Sequence, residues 1–193
     1  MKVLLGSNSP RRQELLSGLG IPYEVVHIDC DEHFTDGLQG EDIPRYIARE
    51  KAEAYHKFLR KDEVLITADT IVWIDGRMLG KPKDKDEAKQ MLGMLSGHTH
   101  QVYTAICLRT DQQEEVLSDR TDVTFKNLTD EEIDEYVEKY LPLDKAGAYG
   151  VQEWIGYVAV EKIDGSFYNV MGLPTHLLYE ALKKQSNNPC RWK

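Results

Sequence analysis

An acidic side chain at the end of an apolar segment is the residue of this sequence best suited to chemistry. Residues 64–68 are aliphatic and β-branched, and they predict a buried strand that ends at Asp69. A lone buried carboxylate is destabilising, so an acid in this position generally manages a metal, a cation or a proton. Ligands of open α/β sheets bind beyond the carboxyl ends of strands. Asp69 is therefore a candidate catalytic acid, and the alternative is that it caps the turn into Thr70.

The segment SNSPRR at 7–12 is suited to binding an anion. It connects a predicted strand over 2–5 to a helix that begins at a proline, and a helix N-terminus offers unpaired N–H groups to phosphate. Arg11 and Arg12 add forked donors for phosphate oxygens. The segment lacks the Walker A pattern. A capped helix with two solvated arginines is the alternative.

Two lysines and an acidic loop could complete a polyphosphate site. Lys51 lies in the segment REKA, and Lys81 stands between a glycine and a proline, although either lysine alone is equally consistent with simple solvent exposure. Asp29, Asp31 and Glu32 follow the second predicted strand. Oxygen ligands of this type suit Mg²⁺ or Mn²⁺, especially when a substrate phosphate completes the coordination. An ordinary acidic loop is the alternative.

The segment DKAGAYGVQ at 144–152 combines small residues with a glutamine. Its glycines and alanines leave the backbone open to a ligand, and Gln152 can both donate to and accept from the edge of a nucleobase. A glycine-rich turn with a surface glutamine is the alternative. His98 and His100 lack a carboxylate-supported zinc pattern, and we assign them a structural role.

The composition indicates a globular protein and argues against several function classes. The 193 residues are 41% hydrophobic and 30% charged, with a formal net charge of −9. That charge opposes sequence-independent binding to nucleic acid, which depends on neutralising phosphates. Cys30, Cys107 and Cys190 form no CxxC pair, which favours a reducing compartment and no zinc site. The chain shows no signal-peptide pattern and no apolar run near the roughly 20 residues of a membrane helix, so we expect a cytoplasmic protein.

Strand and helix patterns alternate along the chain, which favours an α/β or α+β fold. Apolar periodicity predicts helices beginning near residues 10, 42, 86, 130 and 174, and strands over 2–5, 23–28, 64–68, 102–109, 116–125 and 157–163. An Asp-Gly pair at 75–76 predicts a hairpin turn, and Thr129 with Glu132 predicts a capping box. The polar tail over 185–193 is predicted to fray.

Taken together, these segments resemble the Maf family of nucleoside triphosphate pyrophosphatases. The matching segments follow the family's order: SNSPRR at 7–12, REKA at 49–52, ADT at 68–70, GKP at 80–82, SGHTHQV at 96–102, DKAGAYGVQ at 144–152 and GSFYNVMGLP at 165–174. Asn8 and Met171 depart from the small residue and the valine common in the family, and these departures concern only local packing. The resemblance implies one Maf-like domain over 1–193, with an α/β fold. The implied architecture is an elongated mixed β-sheet flanked by helices, with two lobes and a central cleft, similar to inosine triphosphate pyrophosphatases.

The resemblance also assigns roles to individual residues. Asp69 is the implied catalytic proton acceptor and, with Glu32, an implied ligand of a divalent metal cation, Mg²⁺ or Mn²⁺. Substrate choice is assigned to Arg11, Thr70 and Gln152. Phosphate binding is assigned to Ser7, Arg11, Arg12, Lys51 and Lys81.

The form of the 144–152 motif, with Gln152, is similar to the family branch that acts on dTTP and UTP, whereas the 7-methyl-GTP branch tends to carry glutamate there. The implied reaction is hydrolysis of these triphosphates to the monophosphate and pyrophosphate, in a house-cleaning or nucleotide-pool role. A homodimer is implied, with no stable nucleic-acid or membrane partner. Two alternatives stay open. One is a non-catalytic nucleotide- or DNA-binding regulator of cell division and septum formation, and the other is a pyrophosphatase for a modified purine nucleotide.

Overall fold

The computed structural model describes residues 1–30 and 37–185. The strands are β1 (Lys2–Leu5), β2 (Tyr23–Val25), β3 (Glu63–Ile74), β4 (Arg77–Leu79), β5 (Thr99–Arg109), β6 (Glu114–Phe125) and β7 (Val160–Asp164). The helices are α1 (Pro10–Gly18), α2 (Asp42–His56), α3 (Lys85–Leu95), α4 (Asp130–Tyr140), α5 (Trp154–Ala159), α6 (Phe167–Met171) and α7 (Thr175–Gln185), with a 3-10 turn at Ala146–Ala148.

Over these described residues, seven strands form one sheet in the order β2-β1-β3-β5-β6-β7, and β4 pairs with β3. The sheet is mixed, because β1 pairs parallel with β2 and β3 whereas β3–β4 and β6–β7 are antiparallel. The predicted α/β class with a mixed sheet is therefore confirmed. None of the helices in the described part of the chain is long and apolar enough to cross a membrane.

Two compact units divide the described chain. Of the described residues, unit 1 takes 1–30, 37–69, 104–119 and 172–185, and unit 2 takes 70–103 and 120–171. Strand β3 therefore passes from unit 1 into unit 2 between Asp69 and Thr70. Each unit is described below by itself.

In unit 1, helix α2 packs closely against the strands because its inner face carries small residues. Ala48 and Ala52 are fully buried in one cluster with Leu4 and Leu65. The hydroxyl of Thr67 donates to the carbonyl oxygen of Ala48 at 2.6 Å, which ties β3 directly to the backbone of α2. This packing fixes how α2 lies over β3.

The end of β1 requires a glycine. Gly6 N–H donates to the carbonyl oxygen of Ile66 at 2.8 Å, which continues the parallel pairing with β3. A Cβ at Gly6 would lie 2.3 Å from Ile28 Cδ1 and 3.1 Å from Thr67 Cγ2. The loop that begins at Ser7 therefore leaves the sheet directly beside Thr67.

In unit 2, two predicted local motifs are confirmed. Asp75 and Gly76 both adopt positive φ, of 49° and 74°, as a tight hairpin turn between β3 and β4 requires. Thr129 and Glu132 form the capping box at the start of α4, in which each side chain accepts from the backbone N–H of the other.

Three predicted elements differ from the structure. Strand β3 continues to Ile74, so Asp69 lies inside a strand and not at its end, and the proposed cap of a turn into Thr70 is wrong. Residues 157–159 belong to α5, because Ile155 and Ala159 bury one helical face of an apolar run whose period is ambiguous. Strand β2 stops at Val25. Helix α7 ends at Gln185, and the tail after it lies outside the described residues.

Candidate functional site

The candidate site in unit 1 contains a buried ion pair between Lys51 and Asp69. Lys51 Nζ lies 2.9 Å from Asp69 Oδ1, and Asp69 is 9% exposed. Thr67 and Asp69 point to the same face of β3, because side chains alternate along a strand. Ala48 and Lys51 lie one helical turn apart on α2. The contact of Thr67 with Ala48 therefore also places Lys51 against Asp69.

The loop between β1 and α1 lies in the same unit and is fixed by Arg12. Arg12 Nη1 donates to Ser7 Oγ at 3.4 Å, and Arg12 Nε donates to the carbonyl oxygen of Gly172 at 2.9 Å. Ser7 Oγ also accepts from the N–H of Ser9 at 3.3 Å. Arg11 is half-buried at the second position of α1. Ser7 in the loop and Gly172 after α6 thus hold the guanidinium group of Arg12 at the start of a helix, where N–H groups favour an anion.

In unit 2, the segments that carry Lys81 and Gln152 meet on β3. Gly147 N–H donates to the carbonyl oxygen of Gly80 at 3.0 Å. Gly147 adopts a φ of +67°, and a Cβ there would lie 2.8 Å from Val72 Cγ2. The 3-10 turn consequently packs on β3 two residues beyond Thr70. Lys81 itself is exposed.

A network of polar contacts that the sequence did not predict connects the residues on both sides of Gln152. Lys145 has a side chain that is 9% exposed, and its Nζ lies 2.8 Å from Asp144 Oδ1 and 3.1 Å from Glu153 Oε1. The hydroxyl of Tyr136 donates to the Glu153 carboxylate and accepts from Gly150 N–H at 3.1 Å. Burial and the hydrogen bond to Glu153 raise the pKa of Tyr136 above its ordinary value of 10.0, so the hydroxyl remains a donor at neutral pH.

Gln152 is half-buried, and its Oε1 atom is buried with no hydrogen-bond partner among the residues that the structure describes. Buried polar atoms in folded proteins nearly always have a partner. An unpaired amide oxygen beside a glycine-rich segment is consistent with contact to a ligand, as the sequence predicted for Gln152.

His100 has the structural position that the sequence predicted for it. It is fully buried, and its Nε2 lies 2.8 Å from the hydroxyl oxygen of Tyr149. Burial disfavours the imidazolium and lowers the pKa of His100 to about 4. Across residues 1–30 and 37–185, no three His, Cys, Asp or Glu side chains form a group that could hold a metal ion. Glu32, assigned to a metal with Asp69, lies outside the described residues.

Comparison with protein families matches residues 2–185 to the family described as Maf-like protein. The chain belongs to the Maf family. A relative named dTTP/UTP pyrophosphatase from Phocaeicola vulgatus is 56% identical over 184 residues, with 95% of each chain covered. A relative of the same name from Bacteroides thetaiotaomicron is 55% identical, also with 95% of each chain covered. The solved structure of the Staphylococcus aureus Ham1 protein superposes with a TM-score of 0.54 at 19% identity, over 96% of this chain and 100% of that chain, which shows a likeness of fold.

The structure thus brings two pairs of the predicted Maf site residues into contact. Ser7 contacts Arg12, and Lys51 contacts Asp69. Sequence reasoning missed the roles of Tyr136, Lys145 and Glu153. Lys145 could have indicated this network, because it lies in a motif of mostly small residues and a lysine is seldom buried without a partner.

Proposed function

We propose that this Maf protein hydrolyses dTTP and UTP between the α- and β-phosphates, releasing the monophosphate and pyrophosphate. The observation that carries this proposal is the 55–56% identity, over 95% of both chains, to relatives named dTTP/UTP pyrophosphatase. The geometry supports it with a buried acid, a cationic partner and an arginine-fixed loop at a helix N-terminus in one unit.

Asp69 is the proposed proton acceptor. Its carboxylate orients the attacking water and takes the proton that the water loses as it bonds to the α-phosphorus. The ammonium of Lys51, 2.9 Å away, stabilises the negative charge of Asp69 before the proton arrives. Inside a buried site this fixed pair needs little reorganisation during the reaction.

The proposed phosphate contacts come from basic side chains and from the start of α1. Arg11, Arg12, Lys51 and Lys81 neutralise charge that develops on the triphosphate and on the departing pyrophosphate, and Ser7 adds a hydroxyl donor. Phosphoryl transfer relies on positioning and charge stabilisation. The anchored guanidinium of Arg12 suits that demand.

A divalent cation, Mg²⁺ or Mn²⁺, is part of the proposal. The donor chemistry fits, because Asp69 offers carboxylate oxygen and such ions take one or two carboxylates together with substrate phosphates and water. Asp69 and Glu32 would hold it. When bound, the ion supplies positive charge that polarises the α-phosphate and makes the water more acidic. We also propose a homodimer, on the basis of the family resemblance, and a cytoplasmic location, on the basis of the sparse cysteines without a CxxC pair.

Gln152 is the proposed reader of the base, with Thr70 and Arg11 contributing to substrate choice. A carboxamide can pair with the carbonyl and N3–H of uracil or thymine, whereas cytosine would leave those groups unpaired. Thymine and uracil differ by one methyl group, worth only about 1–3 kcal/mol, so one pocket accepts both.

A panel of nucleoside triphosphates with Mg²⁺ tests the function. We expect monophosphate and pyrophosphate from dTTP and UTP by product chromatography, little product from CTP or 7-methyl-GTP, and no product with excess chelator. Gln152→Glu is the matched variant for base choice and should lose dTTP and UTP turnover. Nucleotide binding without turnover across the panel would support a regulator instead, and preferred turnover of 7-methyl-GTP would support a purine enzyme.

A further inference from the structure

The turn that carries Gln152 is held at both ends by one hydroxyl group. Glu153 N–H donates to the carbonyl oxygen of Gly150 at 2.9 Å, which closes the turn. The hydroxyl of Tyr136 accepts from Gly150 N–H and donates to the Glu153 carboxylate. Tyr136 is fully buried on α4. It therefore connects the first and last residues of the turn to the interior of unit 2.

Lys145 closes the network from the other side. Its Nζ lies 3.1 Å from Glu153 Oε1. A Cβ at Gly150 would lie 2.9 Å from Glu153 Cδ and 3.0 Å from Lys145 Cε, so the turn is in direct contact with this ion pair. Removing Lys145 would take this cation from the largely buried Glu153 carboxylate, which is destabilising. The pair therefore holds Gly150 and Glu153 in one arrangement.

The residue before Gln152 is fixed as well. Gly156 N–H donates to the carbonyl oxygen of Glu153 at 2.9 Å, and a Cβ at Gly156 would lie 1.8 Å from the carbonyl oxygen of Val151. The backbone on both sides of Gln152 is consequently constrained by close contacts. Its Oε1 atom is buried and lacks a hydrogen-bond partner among the described residues.

We propose that Tyr136, Glu153 and Lys145 are positioning residues for base recognition, acting on pyrimidine choice through Gln152 without touching the base themselves. This inference rests on the proposed function, because it assigns Gln152 to the base. A carboxamide discriminates between bases only if its donor and acceptor are held in one direction, since a freely rotating amide pairs with either pattern. The network holds the turn residues on both sides of Gln152, and so limits the positions from which its side chain extends.

Tyr136→Phe removes the shared hydroxyl and keeps the ring. We expect the ratio of kcat/KM for UTP over CTP to fall roughly tenfold, the size of one hydrogen-bond contribution, mainly through a higher KM for UTP, with kcat changed by less than about threefold. Tyr140→Phe is the matched control, because Tyr140 stacks on Tyr136 at 5.1 Å on the same helix. It should leave the ratio unchanged. Glu153→Gln, which keeps an acceptor for Tyr136, should give a smaller fall.

A double-mutant cycle separates positioning from general stability. If Tyr136 acts through Gln152, then Tyr136→Phe in a Gln152→Ala background should change the UTP/CTP ratio no further. If the effects of Tyr136→Phe and Gln152→Ala on the UTP/CTP ratio multiply, the proposal is overturned. An equal loss of kcat/KM for UTP and CTP in Tyr136→Phe would also overturn it. Thermal unfolding checks that each variant is folded. If Tyr136→Phe does not fold, Glu153→Gln replaces it in the double-mutant cycle.

Turnover by the wild-type protein distinguishes failure of the proposed function from failure of the positioning role. A wild-type protein that turns over neither UTP nor dTTP contradicts the proposed function and this inference with it. If the wild-type protein prefers UTP to CTP and Tyr136→Phe keeps that preference, the inference is contradicted but the proposed function is not.

Discussion

Lys51 Nζ lies 2.9 Å from Asp69 Oδ1, and each of the two side chains is only 12% exposed. Two charges at this depth lose most of their hydration, and each compensates the charge of the other. The pair joins α2 to β3 at the last residue of β3 that belongs to unit 1. It therefore links the packing of unit 1 to the chemistry proposed for Asp69.

Replacing the proposed proton acceptor should abolish most turnover while the fold persists. Asp69→Asn keeps the size of the side chain and an acceptor for Lys51, but its amide cannot take a proton from water. We expect the release of pyrophosphate from dTTP to fall about 10²–10⁴-fold, the usual contribution of a general base. Asp62→Asn, at an exposed acid just before β3, is the control and should be as active as wild type. Wild-type rates from Asp69→Asn would remove Asp69 from this role.

Removing the cation of the pair should destabilise the protein more than removing both charges. Lys51→Met leaves Asp69 buried without that partner and should lower the free energy of unfolding by about 3 kcal/mol. The double variant Lys51→Met/Asp69→Leu replaces the pair with apolar groups and should recover most of the loss. Urea unfolding measures both, with the exposed Lys61→Met as control. Equal losses in the single and double variants would show that the loss does not come from an uncompensated charge on Asp69.

Local motifs were predictable because neighbours in the chain form them. The capping box at Thr129 and the hairpin turn at Asp75 depend on residues within four positions, and both were predicted from the sequence alone. The candidate residues in SNSPRR and DKAGAYGVQ were also identifiable as types suited to phosphate and base. Short helices were not, because five or six residues provide too little periodicity for a pattern.

Partnerships between distant residues were not predictable. Arg12 donates to Gly172, 160 positions away, and Tyr136 meets Glu153 only because α4 packs beside the turn at 150–153. The sequence predicts Asp69 at a strand end, because the aliphatic segment 64–68 stops just before it. The pairing of β3 with β4 extends the strand instead. Such contacts are set by tertiary packing, which overrides local preference.

The 3-10 turn should depend on glycine at position 147. Gly147→Ala forces an L residue into a φ of +67° and places its Cβ 2.8 Å from Val72 Cγ2. We expect a loss of about 2 kcal/mol in the free energy of unfolding, from backbone strain and overpacking together. In a Val72→Ala background the added loss should be smaller, because the two Cγ contacts are gone and the backbone strain remains with a Cβ–Cβ contact of 3.0 Å. Gly93→Ala, in an open helical position of α3, should instead stabilise by about 0.5–1 kcal/mol.

His100 should make the stability of the protein fall with acidification. Its pKa is lowered from 6.5 to about 4, chiefly by burial and against a partial opposing effect of Asp122. The unfolded chain therefore binds a proton at a pH where the folded chain does not, so the stabilisation is complete above pH 6.5 and is lost as pH falls towards 4. The loss should approach about 3 kcal/mol. His100→Gln cannot take up this proton and should show a correspondingly weaker decline in urea unfolding between pH 7.5 and 4.5, whereas exposed His98→Gln should follow wild type. Parallel declines in all three proteins would assign the acid sensitivity to other groups.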